Sequence, residues 1–203
     1  MGRFNRLAVW VVALSAWGGA VAAGSWILMK YEVTPGAPVK PVSQWPSGST
    51  IPLSRDRYTL VMFAHPKCPC TRASIEGLNR LMAPYQGRLS IHVLFFRPSK
   101  YSDSWAQSGI WQSAKSIPGV QTAWDINGVE AKRFGARTSG HTFVFGPDGR
   151  IWFTGGITAA RGVQGENSGL SAVESIVSNG PKSLVRMPVF GCDILGGDVP
   201  PGP

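Results

Sequence analysis

The chain has 203 residues, room for one compact domain with short appendages. Hydrophobic residues make up 43% and charged residues 15%, which excludes a disordered chain. Twenty Lys and Arg against eleven Asp and Glu give a net charge of +9, but the basic residues are scattered. That surplus fits solubility and attraction to an anionic membrane surface rather than a nucleic-acid partner.

The first thirty residues read as an address. Arg3 and Arg6 precede an uncharged stretch from Leu7 to Met29, closed by Lys30. As a helix this stretch is roughly 34 Å long, enough for a hydrocarbon core of about 30 Å. Gly18, Gly19, Ala20, Ala22 and Ala23 resemble a signal-cleavage region, yet the apolar character continues through Trp26–Met29. That continuation favours a retained single-pass anchor of the cytoplasmic membrane over a removed signal. In either case the positive-inside rule keeps Arg3 and Arg6 in the cytoplasm and sends the remainder to the periplasmic or extracellular side. Residues 31–54 carry Pro35, Pro38, Pro41, Pro46 and Pro52 and read as an extended spacer. Residues 55–197 should form the domain proper, and 198–203 a frayed tail.

Within the domain, Tyr58–Ala64 is a wholly apolar run that suits a central strand. His65-Pro-Lys-Cys68-Pro-Cys70-Thr71 follows, and then Ala73, Ile75, Leu78, Leu81 and Met82 recur at helical spacing until Pro84 and Gly87. Leu89–Phe96 is a second buried strand. Ser104–Ser116 is compatible with a helix, and Val129–Phe134 is a short helix stopped by Gly135. His141–Phe145 and Arg150–Thr154 flank Gly146-Pro-Asp-Gly149 as a hairpin. A last helix spans Asn167–Val177 and stops at Gly180-Pro181. Strands alternating with helices, closed by a hairpin, predict an α/β fold: a mixed sheet flanked by helices. Reactive groups in such sheets lie beyond the carboxyl ends of strands, where Cys68 and Cys70 fall.

Three cysteines are too few for a disulfide framework and point to a working site. A thiol at a helix N-terminus is acidified by the helix dipole, and Lys67 and Arg72 add positive charge. Cys68 is expected to be the exposed nucleophile, with Cys70 resolving a mixed disulfide or acting as a second ligand. A bridge across the single residue Pro69 needs a tight bend, which would make it easily reduced and the pair oxidising. His65 is a candidate to tune a thiolate. Cys192, in Phe190-Gly-Cys-Asp193, is an accessory candidate: an unpaired thiol, a bridge to the site or a soft ligand. The glycine-rich stretch 155–167 has no Gly-Lys-Ser/Thr ending for phosphate and reads as a loop packed beside the site.

The strand running into a cysteine pair that opens a helix, together with the stretch Phe134–Gly149, resembles the thioredoxin-like superfamily over about residues 55–180. Cys-Pro-Cys-Thr71, Thr154-Gly-Gly-Ile-Thr158 and Pro188-Val-Phe-Gly-Cys192 resemble small exported bacterial proteins labelled RedB. The resemblance implies a thioredoxin-like fold and thiol–disulfide exchange at Cys68 and Cys70 on exported protein thiols. Two features depart from ordinary thioredoxins: the cysteines are separated by one residue rather than two, and His141 stands at the family's cis-proline position. That placement opens an alternative similar to Sco-type copper proteins. Cys68, Cys70 and His141 would then bind Cu(I), or zinc with a fourth ligand, for delivery to a metalloprotein client.

Overall fold

The computed structural model describes residues 3–38 and 42–194. The frayed tail expected at 198–203 lies outside the described residues.

Helix α1 (Arg3–Val33) forms a unit by itself. Its segment Arg6–Val33 is long and apolar enough to cross a membrane, which makes it a candidate span. The helix continues past Lys30, through three residues expected in the spacer.

The second unit begins at Pro35. Its elements are β1 (Tyr58–Ala64), α2 (Thr71–Tyr85), β2 (Leu89–Arg97), α3 (Asp103–Ala106), α4 (Gly109–Lys115), β3 (Val120–Ile126), α5 (Val129–Phe134), β4 (His141–Phe145), β5 (Ile151–Gly155), α6 (Ser168–Asn179) and β6 (Val185–Arg186). They build a six-stranded sheet in the order β3-β2-β1-β4-β5-β6. β1 pairs parallel with β2 (Tyr58 opposite Leu89) and antiparallel with β4 (Phe63 opposite His141). β4 and β5 form the expected antiparallel hairpin, with a register shift between Val144 and Phe145. A parallel β-α-β unit, a central first strand and a closing antiparallel hairpin followed by a helix make this fold thioredoxin-like.

Two elements exceed the sequence reading. β3 is an edge strand in which Val120, Thr122, Trp124 and Ile126 are half-buried and only Asp125 is fully buried. It therefore lacks the apolar run by which β1 and β2 are recognised. β6 has two residues and pairs parallel with β5. The helix expected over Ser104–Ser116 is two short ones, because the Ser108 side chain caps a new start by accepting from the Trp111 amide.

Each face of the sheet buries its own core. Leu60, Met62, Val93, Val144 and Phe153 meet Leu78 and Leu81 of α2, Ala114 of α4 and Leu170 and Val173 of α6. Val61, Phe63, Phe143 and Phe145 meet Phe134 of α5 on the opposite face. The second core also takes in the proline-rich segment. The Trp45 ring stands edge-on to Phe134 and Phe145 at 5.3 and 5.0 Å, and Ile51 is buried. Ser49 and Thr50 hydrogen-bond the Glu130 carboxylate. From Val42 onward the expected spacer is thus part of the domain, since its apolar side chains cover a sheet face that α5 alone leaves open.

Candidate functional site

The carboxyl end of β1 delivers the chain into a tight turn in which the Cys68 amide donates to the His65 carbonyl at 3.1 Å. The Thr71 amide then donates to the Cys68 carbonyl at 3.0 Å, and the Ala73 amide to that of Cys70 at 3.2 Å. Cys70 is the N-cap of α2 with helical backbone angles, φ −63° and ψ −29°. This winding corrects the expectation about exposure. Cys68 is buried at 1% exposure beneath the helix start, and Cys70 is the half-buried one.

A sulfur from the far end of the chain also reaches Cys68. Cys68 Sγ and Cys192 Sγ are 2.9 Å apart, although 124 residues separate them. A strap running from Met187 to Ile194 carries Cys192 there. The Met187 amide donates to Thr154 O (3.0 Å), the Gly156 amide to Pro188 O (3.1 Å) and the Ser139 amide to Cys192 O (2.8 Å). Further on, the Ile194 amide donates to Arg137 O at 2.6 Å. Glycine lets the strap lie this close. A Cβ at Gly191 would meet the Ser139 carbonyl oxygen at 2.0 Å, and one at Gly155 the Met187 carbonyl oxygen at 2.5 Å.

Charge at the site is unevenly divided. The Cys68 thiol is lowered to about 4, chiefly by its hydrogen bond with Cys192, with the Thr71 hydroxyl and amide adding to the effect against burial. Cys192 moves upward for the reciprocal reason: with Cys68 ionised, its S–H is the donor and cannot be given up. Cys70 is raised by burial and by the neighbouring Cys68 charge. The cation that acts on Cys70 and Cys192 is Arg161, which also donates to the Gly191 carbonyl and so ties down the strap. Lys67, expected to serve the thiols, has its ammonium 4.7 Å above the Trp105 ring.

His65 is buried beside this turn. Its Nδ1 accepts from the Lys67 amide at 3.2 Å, and its ring stacks on Phe96. Burial lowers its pKa while the Cys68 charge works in the opposite sense, so it adjoins the thiolate mainly in the neutral form. His141 is placed elsewhere. Strand alternation sets it on the face of Phe143, on which its ring stacks at 4.3 Å, and Nε2 shares a 2.9 Å hydrogen bond with Thr154 Oγ1. A pocket of about 400 Å³ between β4, β6 and Pro35–Pro38 touches His141 but none of the cysteines. Among the described residues no three His, Cys, Asp or Glu side chains converge on a position suited to a metal ion. His141 thus does not stand with Cys68 and Cys70 around one point among the described residues.

Sequence reasoning left the part played by Cys192 open and missed Arg161. The signal for both lies in Gly155-Gly156 and Gly191, since glycines outside any turn mark another backbone passing close by.

No protein-family model matches the chain, and no curated protein matches it significantly. Among solved structures, an uncharacterized conserved protein from Geobacillus kaustophilus is similar with TM-score 0.57 and 17% identity, over 81% of this chain and 93% of that one. A hypothetical protein from Sinorhizobium meliloti 1021 is similar with TM-score 0.54 and 19% identity, over 80% and 94%. The thioredoxin domain of a thiol-disulfide oxidoreductase from Bacteroides vulgatus gives TM-score 0.46 at 16% identity, over 71% and 99%. At such identities the likeness is one of fold.

Proposed function

We propose that this protein is a membrane-anchored thiol–disulfide oxidoreductase whose domain works outside the cytoplasm. Cys68 is its central sulfur, and the thiols of exported proteins are its substrates. The observation that carries this reading is a thiolate held at about 4 in contact with a second sulfur at the start of α2. A thiolate that stable is ionised at any physiological pH and is a good leaving group in exchange. Its burial keeps solvent oxidants away, while the half-buried Cys70 and Cys192 give clients a route to it. α1, with Arg6 at its amino-terminal end, supports anchoring with the domain on the outer side.

The full chain in detergent should exchange disulfides with a synthetic peptide carrying two cysteines. Cys68→Ser should abolish the reaction. Exchange at the wild-type rate in Cys68→Ser would refute the assignment.

A further inference from the structure

We propose that the working disulfide of this protein joins Cys68 to Cys192, so that the C-terminal strap, and not the Cys-Pro-Cys segment, supplies the second sulfur of the pair. The inference rests on the oxidoreductase reading and names the second residue of that same site.

Three observations converge on it. The two sulfurs lie 2.9 Å apart, so closing a bond of about 2.05 Å needs a displacement of roughly 0.9 Å, within the reach of side-chain rotation. The Cα positions are fixed independently of the sulfurs: Cys68 by its turn to His65, and Cys192 by the Ser139 amide and by Arg161 on the adjoining Gly191 carbonyl. Cys70, by contrast, is wound into the helix start. Its thiol also adjoins Cys68, whose charge and hydrogen bond help raise it, but its backbone is held in the turn in which Thr71 and Ala73 donate to the Cys68 and Cys70 carbonyls. Arg161 meanwhile acts on Cys70 from the side of the strap.

The exchange balances as follows. In the oxidised protein a client thiolate attacks Cys192 Sγ, the accessible sulfur of the pair, since Cys68 is 1% exposed. A client–Cys192 disulfide forms, and the Cys68–Cys192 bond breaks with its electron pair going to Cys68. The client's second thiolate then attacks the client sulfur of that mixed disulfide and expels Cys192. Cys192 takes up a proton and shares it with the Cys68 thiolate across the 2.9 Å contact. The client loses two electrons and two protons; the protein gains both electrons and one proton, and the other proton goes to solvent. Glutathione disulfide, a low-molecular-weight oxidant, restores the bridge in the test below. Expulsion of Cys68 is the easy step because the departing charge is already stabilised there by Thr71.

The experiment is disulfide mapping by mass spectrometry of the full chain, equilibrated in a glutathione redox buffer, alkylated and digested without reduction. The expected product is a Cys68 peptide linked to a Cys192 peptide, with Cys70 alkylated; the link should persist in Cys70→Ser. Cys192→Ser should lose cross-linked material and oxidise the two-cysteine peptide at least tenfold more slowly. An internal Cys68–Cys70 disulfide with Cys192 alkylated, together with full exchange in Cys192→Ser, would overturn the inference and leave the oxidoreductase reading standing. Absence of any disulfide at Cys68, with no exchange by the wild type, would overturn both.

Discussion

The Cys68 thiolate offers a quantitative test, because its largest stabilising contact can be removed while a close substitute keeps it. Its pKa stands at about 4 against an ordinary 9.0, and the first cause is the hydrogen bond from Cys192. A hydrogen bond to a charged group contributes about 1.5–3 kcal/mol, and about 1.4 kcal/mol corresponds to one pKa unit. Cys192→Ala should therefore raise the Cys68 pKa by roughly one to two, while Thr71 still holds it well below that of a free thiol. Cys192→Ser keeps a donor at the same place and should leave it near the wild-type value. The assay is thiolate absorbance near 240 nm, followed in the reduced protein as pH is raised. Cys70 and Cys192 are both shifted upward, so the first ionisation reports Cys68. If Ala and Ser variants titrate together at the wild-type position, the contact does not govern the acidity and the reasoning fails.

Other expectations follow from the same geometry. His141 is buried and lowered to about 4, so between its ordinary 6.5 and that value the unfolded chain binds a proton that the folded one refuses. Stability should fall by up to about 3 kcal/mol as pH drops through this window, and urea denaturation at pH 7 and pH 4 should give a flatter dependence for His141→Gln. In Gly191→Ala the new Cβ meets the Ser139 carbonyl, so the variant should lose about 1–3 kcal/mol by thermal denaturation and form less of the Cys68–Cys192 link. Arg161→Met removes the donor to Gly191 and should slow bridge closure in glutathione buffer by about tenfold; closure at the wild-type rate would show that the strap seats without it. A reporter fused after Pro203 should be active only outside the cytoplasm, and strong cytoplasmic activity would count against the anchored, exported reading.

Most of the sheet was legible because its central strands are buried on both faces. Tyr58–Ala64 and Leu89–Phe96 announce themselves as unbroken apolar runs, and the hairpin announces itself through Gly146-Pro-Asp-Gly149. β3 was not legible, because an edge strand packed on one side spreads its apolar residues among Gln121, Thr122 and Asp125. The place of His141 was readable in principle. Period-two alternation sets it with Phe143 and Phe145 on the face of the second core, whereas α2 packs with Met62 and Ala64 on the first. Analogy with the cis-proline position pointed the other way, and strand geometry outweighs the analogy.

The meeting of Cys68 and Cys192 belongs to a different kind of information. No local period encodes a contact across 124 residues; it depends on a backbone path fixed by β6, by the strap's hydrogen bonds and by glycines that permit the approach. The same path explains why a single intervening residue is tolerable between Cys68 and Cys70. With one residue between them, the segment winds directly from the turn at Cys68 into α2 at Cys70. That winding buries Cys68 and aims it at the strap, where the Cys192 donor stabilises the thiolate. Stabilising the thiolate favours the reduced pair over the bridge, which is the direction that the proposed oxidation of client thiols requires.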